Sequence, residues 1–139
     1  MPFISTEKSR IDLDKLVSFL QNDSYWAKSR SREQIETSIA NSLCFGIYDE
    51  ADNMIGFGRV VSDYGVFAYL ADIYIDKDER GKGYGKMLMQ EILAHPDLQL
   101  VHRWMLGTLD AHGLYLPYGF SEVKDPSRWM EFLPKGSEL

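Results

Sequence analysis

Apolar positions recur along the first forty residues with the period of a helix. Leu13, Leu16, Val17 and Leu20 fall at i, i+3, i+4 and i+7 within Asp12 to Gln21, which predicts an amphipathic helix that Asp12 could cap. Ser31-Arg32-Glu33-Gln34 has the spacing of a capping box, and Ile35 and Ile39 continue one face of the helix it would open. Between the two lies Tyr25-Trp26-Ala27-Lys28-Ser29-Arg30, aromatic and basic, with no clear period. The pattern then turns strand-like. Leu43 to Tyr48, Met54 to Val61 and Val66 to Ile75 are apolar runs separated by the polar turns Asp49 to Asn53 and Ser62 to Gly65. Connections this short leave no room for crossover helices, so the three strands predict an antiparallel meander.

Downstream the period changes again. Tyr84 to Ala94 reads as a helix stopped by His95-Pro96-Asp97, and Leu98 to Thr108 as a strand. The strand, loop, helix, strand unit is long enough for a right-handed parallel crossover. Ala111 to Leu116 predicts a short helix ended by Pro117 and Gly119. Glu122-Val123 and Arg128 to Leu133 read as closing strands around the Asp125-Pro126 turn. The expected architecture is a single α/β domain over residues 1–139, with a mixed, mostly antiparallel sheet flanked by helices.

Composition narrows the chemistry. The chain has 139 residues, 45% of them hydrophobic, which suits one packed core. A net charge of −6 argues against a nucleic-acid or anionic-membrane partner. Cys44 is the single cysteine, so no internal disulfide can form and structural zinc is not expected. It reads as buried and inert between Leu43 and Phe45. His95, His102 and His112 lack metal-ligand spacing, and no metal site is expected. The N-terminus carries no secretory pattern and no apolar run reaches membrane-spanning length, so the expected location is the cytoplasm.

Arg80-Gly81-Lys82-Gly83-Tyr84-Gly85 follows a strand and opens a helix. Glycines this dense let the backbone turn sharply and expose successive N–H groups. At a helix N-terminus such donors suit phosphate oxygens, and Arg80 and Lys82 add positive charge. Neither common nucleotide loop fits the spacing. A Walker A loop fails at Arg80 and Met87, and the Rossmann pattern fails at Lys86 and Leu88.

The spacing that does fit is Arg/Gln-x-x-Gly-x-Gly/Ala, filled by Arg80, Gly83 and Gly85. In this the chain resembles the GNAT superfamily of acyl-CoA-dependent N-acyltransferases, in which this loop holds the pyrophosphate of coenzyme A. The segment Asp110-Ala111-His112-Gly113-Leu114-Tyr115-Leu116-Pro117-Tyr118-Gly119-Phe120 is similar to the family's later motif. The likeness covers roughly residues 43 to 133. It implies acetyl-CoA as cofactor, gripped by Ile73, Tyr74 and Ile75 of the preceding strand, by Arg80, Gly81, Lys82, Gly83, Tyr84, Gly85 and Lys86, and by Asp110 and Tyr115. It implies Tyr115 as the general acid and a backbone N–H between Asp72 and Ile75 as the oxyanion donor.

Two positions depart from the family's pattern. Asp110 stands where Asn is common, and Ala71 stands where many members carry a glutamate base. Asp72, the adjacent carboxylate, is then the expected base, acting directly or through water, or else a structural Asp satisfied by backbone donors. Strand alternation sets Asp72 and Tyr74 on one face and Ile73 and Ile75 on the other. The resemblance implies that the acceptor pocket borders the helix-to-helix connection that holds Tyr25, Trp26, Arg30 and Arg32, with Asp63 and Tyr64 within reach. Arginines facing it would favour an anionic acceptor, and aspartates a cationic one. The expected activity is acetyl transfer from acetyl-CoA to a primary amine of a small molecule or peptide, by direct attack in a ternary complex. A non-catalytic acyl-CoA sensor of the same fold is the alternative, and a homodimer is left open.

Overall fold

A computed structural model describes residues 1–135. One five-stranded sheet runs in the order β1 (Phe3–Ser5), β2 (Leu43–Tyr48), β3 (Met54–Ser62), β4 (Phe67–Ile75) and β5 (Arg103–Leu106). The first four strands are antiparallel neighbours, and β5 joins β4 in parallel through a helical crossover. The expected mixed α/β sheet is therefore present, and its meander sits where the three apolar runs placed it.

Two cores sandwich the sheet. On one face α1 (Leu13–Ser18), the turn after it and α2 (Arg32–Ala40) bury Leu16, Val17, Leu20, Ile35 and Ile39 against Cys44, Phe57 and Tyr74. On the other, α3 (Tyr84–Ala94) lays Leu88, Met89 and Ile92 on Phe45, Ile47, Val60, Ala68 and Leu70. Both expected caps form. The Asp12 side chain accepts from the Lys15 N–H at 3.1 Å, and Ser31 and Gln34 complete a reciprocal capping box.

The differences from the sequence expectation are informative. Strand β1 was not expected, since three residues at an edge carry too little pattern to register. The first helix does not run on to Gln21 as α-helix: Phe19–Asp23 widens into a π turn, and Ser24 N–H reaches the Phe19 carbonyl at 3.0 Å. The expected strand from Leu98 shrinks to Arg103–Leu106, because Pro96–Leu98 forms a 3-10 turn that drives Leu98 into the core.

The two closing strands are absent from the described residues. Pro126–Arg128 is a 3-10 turn, and every residue from Ser121 to Lys135 is exposed, so nothing buries the apolar alternation and nothing orders it as strand. An open groove of about 1130 Å³ is left instead between β5 and this segment, lined by Trp104, Leu106, His112, Tyr115, Phe120 and Trp129 among others.

Candidate functional site

Strand β4 makes the site by breaking its own regularity. Arg59 pairs with Ala71 and Phe57 with Tyr74, so two steps on β3 face three on β4. The extra residue is a β-bulge, and Asp72 within it takes a left-handed φ of +54°. Before the bulge Ala68 and Leu70 face α3, and after it Ile73 and Ile75 do, while Tyr74 faces α1. Gly58 lies opposite: a Cβ there would come within 2.6 Å of Ile73 Cδ1, so glycine makes room for the returned side chain.

The parallel pairing of β4 with β5 stops at the same place. It links Phe67–Leu70 to Arg103–Leu106 and goes no further, although β4 runs on to Ile75. From Ala71 onward the β5-facing edge of β4 is therefore unpaired in the sheet, because β5 itself ends at Leu106. The chain leaves this point by two routes: β4 runs into the glycine loop, and β5 runs on to α4 (His112–Tyr115).

The glycine loop is shaped for backbone approach. Gly81 and Gly83 have φ of +81° and +86°, and no atom lies within 4 Å of where a Cβ would stand on either. Gly83 is the N-cap of α3, and no side chain caps the helix there, which leaves first-turn N–H groups free for an anion. Arg80 Nε donates to the Ile75 carbonyl at 3.0 Å, tying the loop to the strand end. Lys82 pairs with Glu79 at 2.9 Å, and that contact raises its pKa. The open, uncapped glycine cradle fits a pyrophosphate, and Lys86 is exposed on the first turn beyond it.

Three expected cofactor contacts change character. The Tyr74 ring is buried and stacked on Phe19, with centroids 3.7 Å apart. Burial, then nearby Asp76, pushes its pKa up, and its hydroxyl has no partner. Tyr74 can thus serve a cofactor only through its backbone. The same holds for Ile73 and Ile75, whose side chains pack in the α3 core.

Asp72 is corrected more strongly. Its side chain is 2% exposed and holds four hydrogen bonds: Trp26 Nε1 and Arg30 Nη1 to Oδ1 at 2.8 and 2.9 Å, and Arg59 Nε and Arg30 Nη1 to Oδ2 at 2.9 Å each. Burial alone would raise its pKa, but the charges of Arg59 and Arg30, with hydrogen bonds from Arg59 and Trp26, outweigh that and lower it. A base must accept a proton, and here each lone pair already faces a donor. Asp72 is a charge centre, not a base. Arg59 was not foreseen. Its signal was a lone arginine in the otherwise apolar run Met54 to Val61, which in a buried strand requires a counter-ion.

The acceptor-side residues divide. Trp26 and Arg30 converge on Asp72, and Tyr25 meets the Trp26 ring edge-on at 5.1 Å. The Tyr25 hydroxyl accepts from the Leu109 N–H at 3.1 Å, so this loop reaches the segment that follows β5. Tyr115 is half-buried among Phe120 and its neighbours. Burial first, then Tyr25, raises its pKa, and its ring meets Phe120 edge-on with centroids 6.0 Å apart. Asp110 is exposed on the loop before α4.

Asp63 and Tyr64 do not join them. Asp63 Oδ1 accepts from the N–H groups of Gly65, Val66 and Phe67, closing the β3–β4 turn, and this lowers its pKa. That turn lies at the opposite end of β4 from Asp72, roughly 16 Å of strand away. Among the described residues no cluster of His, Cys, Asp and Glu could hold a metal, and no helix is long and apolar enough to cross a membrane.

The chain as a whole has known counterparts. A model of the acetyltransferase (GNAT) domain matches residues 40–122, more than half of the chain. A solved structure from Xanthomonas campestris pv. campestris, assigned to the GNAT family, is 41% identical and superposes with a TM-score of 0.92 over 95% of this chain and 92% of that one. The chain belongs to the GNAT acetyltransferase family. A Clostridium acetobutylicum structure described with acetyl-CoA shares the fold at 14% identity, with a TM-score of 0.69 over 95% and 96% of the two chains. FG08082 of Gibberella zeae, an acetyltransferase by name, is 24% identical over 105 residues, 63% of this chain and 59% of that protein. The chain thus spans about three-fifths of the length of the curated relative it matches.

Proposed function

We propose that the chain transfers the acetyl group of acetyl-CoA to a primary amine of a small molecule or peptide, by direct attack in a ternary complex. The observation that carries this reading is the bulged, unpaired end of β4, with the glycine cradle following it and Tyr115 following the end of its parallel neighbour β5. The cradle of Gly81, Gly83 and Gly85 would take the pyrophosphate, with Arg80, Lys82 and Lys86 adding charge beside it.

When bound, acetyl-CoA supplies a thioester whose carbon the neutral amine attacks, the C–S bond breaking as its electron pair passes to sulfur and a proton follows. The freed β4 edge between Asp72 and Ile75 offers the backbone N–H that would receive the developing oxyanion. Tyr115 gives its proton toward the departing sulfur. A thiol has a pKa of roughly 8.5 and tyrosine one near ~10, and burial raises Tyr115 further, so the phenol stays protonated at neutral pH. The same shift makes the transfer uphill, and it is driven by proximity in a half-buried site rather than by acidity. With Asp72 committed to its arginines, the amine's own proton passes to solvent water, and the Tyr115 phenolate regains its proton from the same solvent.

The test is release of free thiol from acetyl-CoA across a panel of amines, amino acids and peptides. Amine-dependent thiol release with a matching N-acetyl product supports transfer. Tight acyl-CoA binding with no amine-dependent release would make the domain an acyl-CoA-binding module instead, a reading that the absence of a glutamate at Ala71 keeps in play.

A further inference from the structure

The ion-pair network around Asp72 does not balance. One carboxylate faces the guanidiniums of Arg59 and Arg30, which leaves one positive charge over, and neither arginine has another acidic partner among the described residues. Arg59 is nearly closed off: its side chain is 11% exposed and its Nη1 donates to Ser42 Oγ at 3.0 Å. Arg30 is different. Its side chain is 30% exposed, and it spends only Nη1 on Asp72, bonding both carboxylate oxygens with that single nitrogen. Nε and Nη2 have no partner among the described residues. Those two N–H groups lie along one edge of the planar guanidinium, at the separation of the two oxygens of a carboxylate.

The position of this edge matters as much as its chemistry. Asp72 sits in the bulge just beyond the last pairing of β4 with β5. Trp26 bonds the same carboxylate, Tyr25 packs on Trp26, and the Tyr25 hydroxyl accepts from the Leu109 N–H in the segment that follows β5. Arg30 is thus anchored in the loop that ties the bulge to the segment leading into α4. Because Asp72 already fixes its orientation, little side-chain entropy remains to be lost when an anion docks. Asp63, the carboxylate that could have argued for a cationic acceptor, is consumed in a distant turn.

We propose that the acceptor is an amine that also carries a carboxylate, an amino acid or a close relative, and that the Nε and Nη2 edge of Arg30 binds that carboxylate. This rests on the transferase reading above. It makes Arg30 the specificity-determining residue of the acceptor site.

The test uses the full chain and pairs of acceptors differing only in charge: α-amino acids against their primary amides, with diamines as the cationic arm. Thiol release is followed at saturating acetyl-CoA. A charge-assisted pair predicts kcat/KM about 10- to 100-fold higher for the acid than for its amide. Arg30→Gln should collapse that ratio toward one. Arg30→Lys, which keeps a cation for Asp72 but loses the planar edge, should lose most of it while melting near the wild-type temperature. A wild-type preference for amides or diamines overturns the proposal, as does an acid preference that survives both substitutions. If no amine releases thiol, the transferase reading fails, and the Arg30 edge is then judged by calorimetry with coenzyme A present. N-acetyl amino acids should bind at least about 10-fold more tightly than their amides, and equal binding overturns it.

Discussion

Replacing Asp72 by Asn removes one negative charge and almost nothing else. The side chains match in volume, Asn tolerates the left-handed φ of +54° that the bulge imposes, and its carbonyl oxygen can still accept from Trp26 Nε1. What is lost is the counter-ion of two guanidiniums. Arg30, 30% exposed, can turn toward water at modest cost, but Arg59, 11% exposed and bracketed by β2 and β4, cannot. The Asn amide would also point a donor at a donor. Stranding a buried partner of an ion pair costs about 3–5 kcal/mol, against a total of about 5–15 kcal/mol for a typical domain. For a chain of this length that corresponds to a drop in Tm of about 10–15 °C. The sign of the pH dependence follows from the lowered pKa of Asp72. A carboxylate whose folded value lies below its unfolded value of about 3.9 contributes stability that is complete above about pH 4 and is lost as pH falls through the folded value. Thermal melts by circular dichroism at neutral pH should therefore show the full gap between Asp72→Asn and wild type. The gap should narrow only in acid, below about pH 4. A variant melting within about 3 °C of wild type at neutral pH would show that Arg59 does not depend on Asp72, and the argument would fail.

Tyr115→Phe should leave acetyl-CoA binding and KM nearly unchanged and lower kcat by ~10²-fold, the scale of a lost positioned acid, while Tyr118→Phe stays near wild type in the same thiol-release assay. Full activity in Tyr115→Phe would move the acid elsewhere. Gly83→Asp has steric room, since nothing lies within 4 Å of its Cβ, so it should fold while losing coenzyme A in calorimetry through backbone strain and repulsion of phosphate; unchanged affinity would remove the cradle from the binding site. Burial raises the Cys44 thiol to about 11, so it should stay unmodified by a thiol reagent at pH 8 until denaturant unfolds the chain, and rapid native labelling would contradict the burial.

Much of this site was legible before the coordinates, and the rest was hidden for identifiable reasons. The run Leu43 to Tyr48, the capping box at Ser31 and the turn at Gly81 and Gly83 that opens α3 are local signals, each specified by residues a few positions apart, and each is present. The bulge is not such a signal. Alternation assigned Asp72 and Tyr74 to one face correctly, yet no period-two pattern reports that β4 carries one residue more than β3 across Ala71 to Tyr74, or that this residue adopts a positive φ. The role of Asp72 depended on that hidden feature. Its partners Arg59, Arg30 and Trp26 lie 13, 42 and 46 residues away in sequence, and only the register of three strands and the π turn after α1 bring them together. A carboxylate read in isolation looked like a base because its chemistry permits that, and the same group with two arginines on it becomes an anchor. The error on the closing strands runs the other way. Arg128 to Leu133 has the residues of a strand, but strand propensity expresses a surface on which to pack, and in the single chain that surface is missing. What the anchor does for function then follows from geometry alone. By fixing Trp26 and Arg30 to the strand that bulges, Asp72 ties their loop to the β4 backbone, and in the proposed transfer the acceptor side and the oxyanion donor would share that one rigid support.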